Sequence, residues 1–162
     1  MGTLLRLLLP PAAGNTVRGS RLPVYVLALV ATVGTARSLI HIFSSDGGAG
    51  SIAGMNLAVS GADEVIFAFA LWGGAQLVYA ILQWVVILRY RSLVPLMWCM
   101  QLVETLSRML AGVLKPVAFA HTPPGAYGNY LLLPLALAML ALALWSGARD
   151  LAAASPRSKP GE

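Results

Sequence analysis

The chain has 162 residues, 58% of them hydrophobic and only 10% charged, with a net charge of +5 and a mean hydropathy of +0.76. Soluble domains carry about 25% charged residues, so a water-facing globular core is excluded and the chain belongs with integral membrane proteins. The basic excess forms no patch interleaved with aromatics in a soluble segment, so no nucleic-acid partner is expected.

Residues 1–21 read as a cytoplasmic N-terminal tail that is mobile. It has one early charge, Arg6, and its short apolar run ends at Pro10-Pro11. A cleaved signal peptide is not expected, and the first span, 22–43, is read as an uncleaved anchor. Near the end of that span Arg37 and His41 stand four residues apart. The loop 44–64 is rich in Gly and Ser yet carries Ile52, Met55, Leu57 and Val59. Long unstructured loops are uncommon in compact domains, so this one is expected to fold onto the mouth of the bundle.

The second span, 65–88, puts Trp72, Gln76, Tyr79 and Gln83 on one face, within an arc of roughly 60°. An amide in lipid needs a partner, so this face is expected to meet the third span. The very tight Arg89-Tyr90-Arg91 connection predicts that the second and third spans pack as an antiparallel hairpin. Gly73-Gly74 and Gly112 are expected to permit close helix approach.

The third span, 93–117, carries the most informative feature of the chain. Gln101, Glu104, Thr105, Arg108, Gly112 and Lys115 share an arc of roughly 100°. A carboxylate and a guanidinium near mid-bilayer are costly, so they face protein or water rather than lipid. Glu104 and Arg108 are spaced to pair on the helix itself. Cys99, the only cysteine, excludes an intrachain disulfide, a CxxC redox pair and a thiolate metal cluster. The two histidines lack a ligand spacing, so no metal site is expected, and no cofactor is assigned.

His121-Thr122-Pro123-Pro124-Gly125 breaks the chain before the fourth span, 130–147. Pro95 and Pro134 are expected in the first turn or so of their helices, where a missing amide costs little. Tyr90, Trp98, Tyr127, Tyr130 and Trp145 read as interfacial anchors. Residues 148–162 form a short C-terminal tail. The reading is therefore all-α: an integral membrane four-helix bundle over 22–147, each span long enough for a hydrocarbon core of about 30 Å.

If all four helices cross, Arg6, Arg18, Arg21, Arg89, Arg91, Arg149, Arg157 and Lys159 lie on one side. Those are eight of the eleven basic residues. The opposite loops hold Lys115 against Asp46, Asp63 and Glu64. By the positive-inside rule both termini are cytoplasmic. The first and third spans then run in the same direction, and Arg37 and Arg108 match in depth, each about 6 Å outward of Glu104. Arg37 is thus expected as a second cation on Glu104, and the polar groups converge on the outer half.

The run 71–116, with Gly73, the Arg89–Arg91 hairpin, and Arg108 with Gly112, resembles the middle of a DoxX-like small bacterial membrane protein. The resemblance covers roughly residues 22–147. It implies a four-helix fold and a location in the bacterial cytoplasmic (inner) membrane, and it implies no catalytic residues. Founding members are linked to a thiosulfate–quinone oxidoreductase, and no redox motif here matches.

The candidate ligand-binding residues are Arg37, His41, Gln76, Gln101, Glu104 and Arg108. Two arginines against one glutamate suit an anionic ligand such as a lipid headgroup or small carboxylate. The expected partners are the lipid bilayer, a lipid, quinone or small anionic ligand, and a membrane-protein partner or second copy. The alternative reading is a minimal transporter or a quinone-linked oxidoreductase subunit.

Overall fold

The computed structural model describes residues 2–117 and 119–154. It is all-helical, with no strand among the described residues. A short α1 (Thr3–Leu8) is followed by α2 (Leu22–Phe43) and α3 (Ala62–Arg89). A 3-10 turn, Arg91–Leu93, leads into α4 (Val94–Leu114), and α5 (Pro124–Ala154) completes the order. Helices α2, α3 and α5 are each long and apolar enough to cross a membrane. Helix α4 is less apolar because Gln101, Glu104, Thr105, Ser107 and Arg108 interrupt it.

The long helices alternate in direction, which defines a base and a mouth. The base holds the start of α2 and α4 and the end of α3 and α5. Helix α2 packs closest along α3 and α4 along α5, and α3 meets α4 less closely than the tight Arg89–Arg91 connection suggests. One small residue permits the α2–α3 approach. A Cβ on Gly73 would lie 2.7 Å from the His41 Cβ and 3.1 Å from the Ser38 carbonyl, so only glycine admits α2 there. Gly74 and Gly112, by contrast, face open space and mediate no approach.

The apolar core lies in the base half. Val24, Leu27 and Ala31 of α2 pack with Val86 and Ile87 of α3, Val94, Met97 and Trp98 of α4, and Ala136 of α5. Trp98 is fully buried, and its indole N–H donates to the Pro23 carbonyl at 3.0 Å. It is a core residue, not an interfacial anchor, because it faces the first turn of α2.

Two further sequence expectations differ from the structure. Helix α5 starts at Pro124, six residues before the expected 130, so Pro134 lies well inside it. The missing amide there leaves the Tyr130 carbonyl without its intrahelical donor. The N-terminal segment is docked: Leu7 is buried, and Gly14 and Ser92 exchange two bonds, N–H to Oγ at 2.9 Å and N–H to carbonyl at 3.0 Å. Arg157 and Lys159, counted on the basic side, lie outside the described residues.

At the mouth, the loop after α2 folds over the bundle. The Ala120 amide donates to the Gly54 carbonyl at 3.0 Å, tying the two mouth loops together. The Asp46 carboxylate organises the turn, accepting from Ser44 Oγ at 2.8 Å, the Gly48 amide at 2.8 Å and the Ser51 amide at 2.6 Å. Those donors, the backbone amides first, hold the Asp46 carboxyl well below the usual carboxylate range.

Candidate functional site

Above the packed base the four long helices part around a cavity of about 300 Å³. Its polar wall holds Gln76, Tyr79 and Gln83 from α3, Gln101, Glu104 and Arg108 from α4, and Arg37 from α2. The opposite wall, from α2 and α5, is apolar: Leu29, Val30, Val33, Leu131, Leu132 and Leu135. Leu29, Val33 and Leu131 are all exposed, so that wall opens sideways between α2 and α5.

A chain of hydrogen bonds crosses the polar wall. Gln83 Nε2 donates to Gln101 Oε1 at 2.9 Å, and Gln101 Nε2 donates to Glu104 Oε2 at 3.0 Å. Arg108 Nη2 reaches the same carboxylate oxygen at 3.1 Å. Thr105 Oγ1 lies 3.4 Å from Gln101 Nε2 and is fully buried. The inner part of the α4 stripe therefore forms one network, while its outer members, Gly112 and Lys115, are exposed.

Arg108 Nε is buried with no partner among the described residues, and the buried Tyr79 hydroxyl, beside the Gln83 side chain, finds no acceptor in good geometry there. Burying an unsatisfied polar group costs about 1–3 kcal/mol, so such groups call for a binding partner. Arg37 adds to them. Its Nε is engaged by His41 Nε2 at 3.2 Å and its guanidinium lies 4.7 Å from the Trp72 ring centre. Its two Nη groups hold no hydrogen bond or ion pair among the described residues. Glu104–Arg108 is the sole ion pair among those residues, so Arg37 shares the cavity with Glu104 without pairing to it.

His41 is buried. It is packed against Trp72 and Phe69, with ring centres 5.0 and 5.5 Å away. Together with Arg37, Ile52 and Phe119 these residues line a second, larger cavity of about 700 Å³ directly under the mouth loops. Val33, Arg37, Arg108, Gly125, Gly128 and Asn129 line both cavities, so the two guanidinium groups stand at their junction.

Of the six candidate residues, Arg37, Gln76, Gln101, Glu104 and Arg108 line the smaller cavity, and His41 lines the larger one and reaches the smaller through Arg37. Asn129 was missed because it precedes the apolar run from which the fourth span was read. Its signal was Gly125 and Gly128 beside it, spaced to present a small-residue face under a long side chain. A Cβ on Gly125 would indeed lie 3.3 Å from Arg37 Nη2.

The arrangement offers hydrogen-bond donors and one net positive charge beside apolar space. Compared with known proteins, the chain matches no family model, no curated protein and no solved structure.

Proposed function

We propose that this chain is a DoxX-like integral protein of the bacterial inner membrane, with four crossing helices and both termini in the cytoplasm. Its cavity binds the anionic head of a small amphiphile, whose chain lies along the apolar α2–α5 wall. The single observation that carries this reading is the set of unmet donors, Tyr79 Oη, Arg108 Nε and the Arg37 fork, around one cavity. A bound carboxylate or phosphate would satisfy them together. The topology rests on the basic base and acidic mouth. Helix α4 is read as crossing as well, since Gln101 and Thr105 are buried and Glu104 and Arg108 pair with each other on the cavity side, as membrane charges require.

The test uses the purified chain in non-ionic detergent, with Trp fluorescence read against dodecanoate and dodecanol. Dodecanoate binds saturably, and Arg37→Gln weakens it about tenfold or more, as losing one charge-assisted bond of roughly 1.5–3 kcal/mol requires. Dodecanol binds no better to the wild type than to that variant. Equal binding of acid and alcohol, or binding indifferent to Arg37→Gln, overturns the reading. Glu104 already takes two donors on one oxygen, an arrangement that anchors the polar wall. Proton-driven uptake into proteoliposomes, abolished by Glu104→Gln, would put a transporter in its place.

A further inference from the structure

The docked N-terminal segment encloses a third cavity, of about 200 Å³, at the base of the bundle. Three arginines from three separate elements line it: Arg6 on α1, Arg18 on the segment before α2, and Arg91 on the 3-10 turn. No Asp or Glu among the described residues joins them in the lining. Among the described residues the only side-chain bond of the three is Arg91 Nε to the Ile87 carbonyl at 2.8 Å, which fixes that guanidinium and leaves its Nη groups without a partner there. Arg6 and Arg18 hold no side-chain partner among the described residues.

The cavity is held open by bonds that do not involve the arginines. Besides the two-way Gly14–Ser92 pair, the Gly19 amide donates to Asp150 Oδ2 at 2.6 Å and the Ser20 amide to Ser146 Oγ at 3.0 Å. Gly19 adopts φ +80°, and a Cβ there would run into Ser146, so the chain passes flush against α5. Asp150, the carboxylate at this end among the described residues, accepts from the backbone and pairs with none of the arginines. Ser92 Oγ, which accepts the Gly14 amide, keeps its hydroxyl proton for an acceptor in the cavity.

We propose that this base cavity is a binding site for a phosphate group, distinct from the site between the helices. Three guanidinium forks with no acidic partner among the described residues, one of them fixed by its bond to the Ile87 carbonyl, match a multiply charged, several-oxygen anion better than a singly charged carboxylate. The phosphate is carried by an anionic lipid headgroup or is free in solution. Pro10, Pro11, Val17 and Pro23 give the cavity apolar sides on which a glyceride backbone can rest.

Native mass spectrometry of the whole chain in non-ionic detergent tests this, with dioctanoyl phosphatidic acid, dioctanoylglycerol and inorganic phosphate as probes. The wild type retains phosphatidic acid and not dioctanoylglycerol. Arg6→Gln with Arg18→Gln, both exposed and unbonded so that folding is spared, lowers retention about thirtyfold, at about fivefold per arginine. Arg21→Gln and Arg89→Gln, equally basic and outside the lining, change it by less than about twofold. These variants are compared on an Arg37→Gln background, which weakens anion binding between the helices and so isolates the base cavity. Displacement of the lipid by inorganic phosphate at matched concentration assigns the free anion; resistance to displacement assigns the headgroup. The proposal is overturned if the wild type retains neither phosphatidic acid nor phosphate, or if Arg21→Gln and Arg89→Gln cost as much as the lining pair.

Discussion

Arg37 Nε donates to His41 Nε2 at 3.2 Å, one turn along α2, while His41 Nδ1 lies 2.6 Å from the Gly47 carbonyl. With Nε2 accepting, Nδ1 must carry the proton and donate it to Gly47. One imidazole therefore joins a cavity arginine to the loop over the mouth.

Replacing His41 with Phe keeps the ring packing against Trp72 and loses both bonds. The Gly47 carbonyl sits on a buried residue and is left without its donor, a loss of about 1–3 kcal/mol. Thermal unfolding in detergent should fall accordingly, and hydrogen exchange over residues 44–54 should quicken. Unchanged exchange in that loop would show that His41 does not hold it.

Glu104 is the expected most sensitive position of the polar wall. Its removal leaves Arg108 facing low dielectric and the Gln101 amide with only the longer contact to Thr105 Oγ1. A fully buried broken pair costs roughly 3–5 kcal/mol, but Arg108 and Glu104 keep 20% and 28% of their side-chain exposure. A loss of about 2 kcal/mol for Glu104→Ala follows. The double change Glu104→Gln with Arg108→Gln should be milder than Glu104→Ala alone, because no charge is stranded. Additive losses across single and double variants in detergent unfolding would show that the two side chains are not coupled.

Much of this wall was legible because helical periodicity is a strong constraint. Gln101, Glu104, Thr105 and Arg108 share a face by arithmetic alone, and lipid forbids that face from pointing outward. Gln83 was legible for the same reason, since a buried amide must find a polar neighbour. Trp98 and Pro134 were misread because each depends on where a helix begins, and apolar runs mark membrane limits rather than helix limits. The docked N-terminal segment was illegible: its bonds run from backbone amides to Ser92, Ser146 and Asp150, partners far away in sequence that leave no periodic trace. Arg37 illustrates the middle case. Its depth was readable, but its engagement with His41 and Trp72 in place of Glu104 depends on side-chain direction.

The glycines of α3 offer a sharp contrast. Gly73→Ala would force its Cβ against His41 and the Ser38 carbonyl, separating α2 from α3 and disturbing both cavities. Overpacking of this kind costs about 1–3 kcal/mol. Gly74→Ala meets nothing within 4 Å and should be neutral or stabilising by no more than about 1 kcal/mol, from helix propensity. Parallel thermal melts of the two variants decide it, and equal destabilisation would refute the close approach at Gly73.

The mouth loop should depend on pH through Asp46. Its carboxylate accepts two backbone amides and the Ser44 hydroxyl, and these bonds depress its folded pKa below the unfolded value of about 3.9. A depressed carboxylate contributes stability that is fully present above the unfolded value and fades as pH falls below it toward the folded one. The loop should therefore be equally protected at neutral and mildly acidic pH and lose protection only below about pH 4. Amide exchange over residues 44–54, corrected for intrinsic rates, reads this directly. In Asp46→Asn the charge is absent at every pH, so the loop should be less protected at neutral pH and lack the acid-dependent step. Loss of protection already between pH 7 and 5, or a step that persists in Asp46→Asn, would assign the loop's order to a different group.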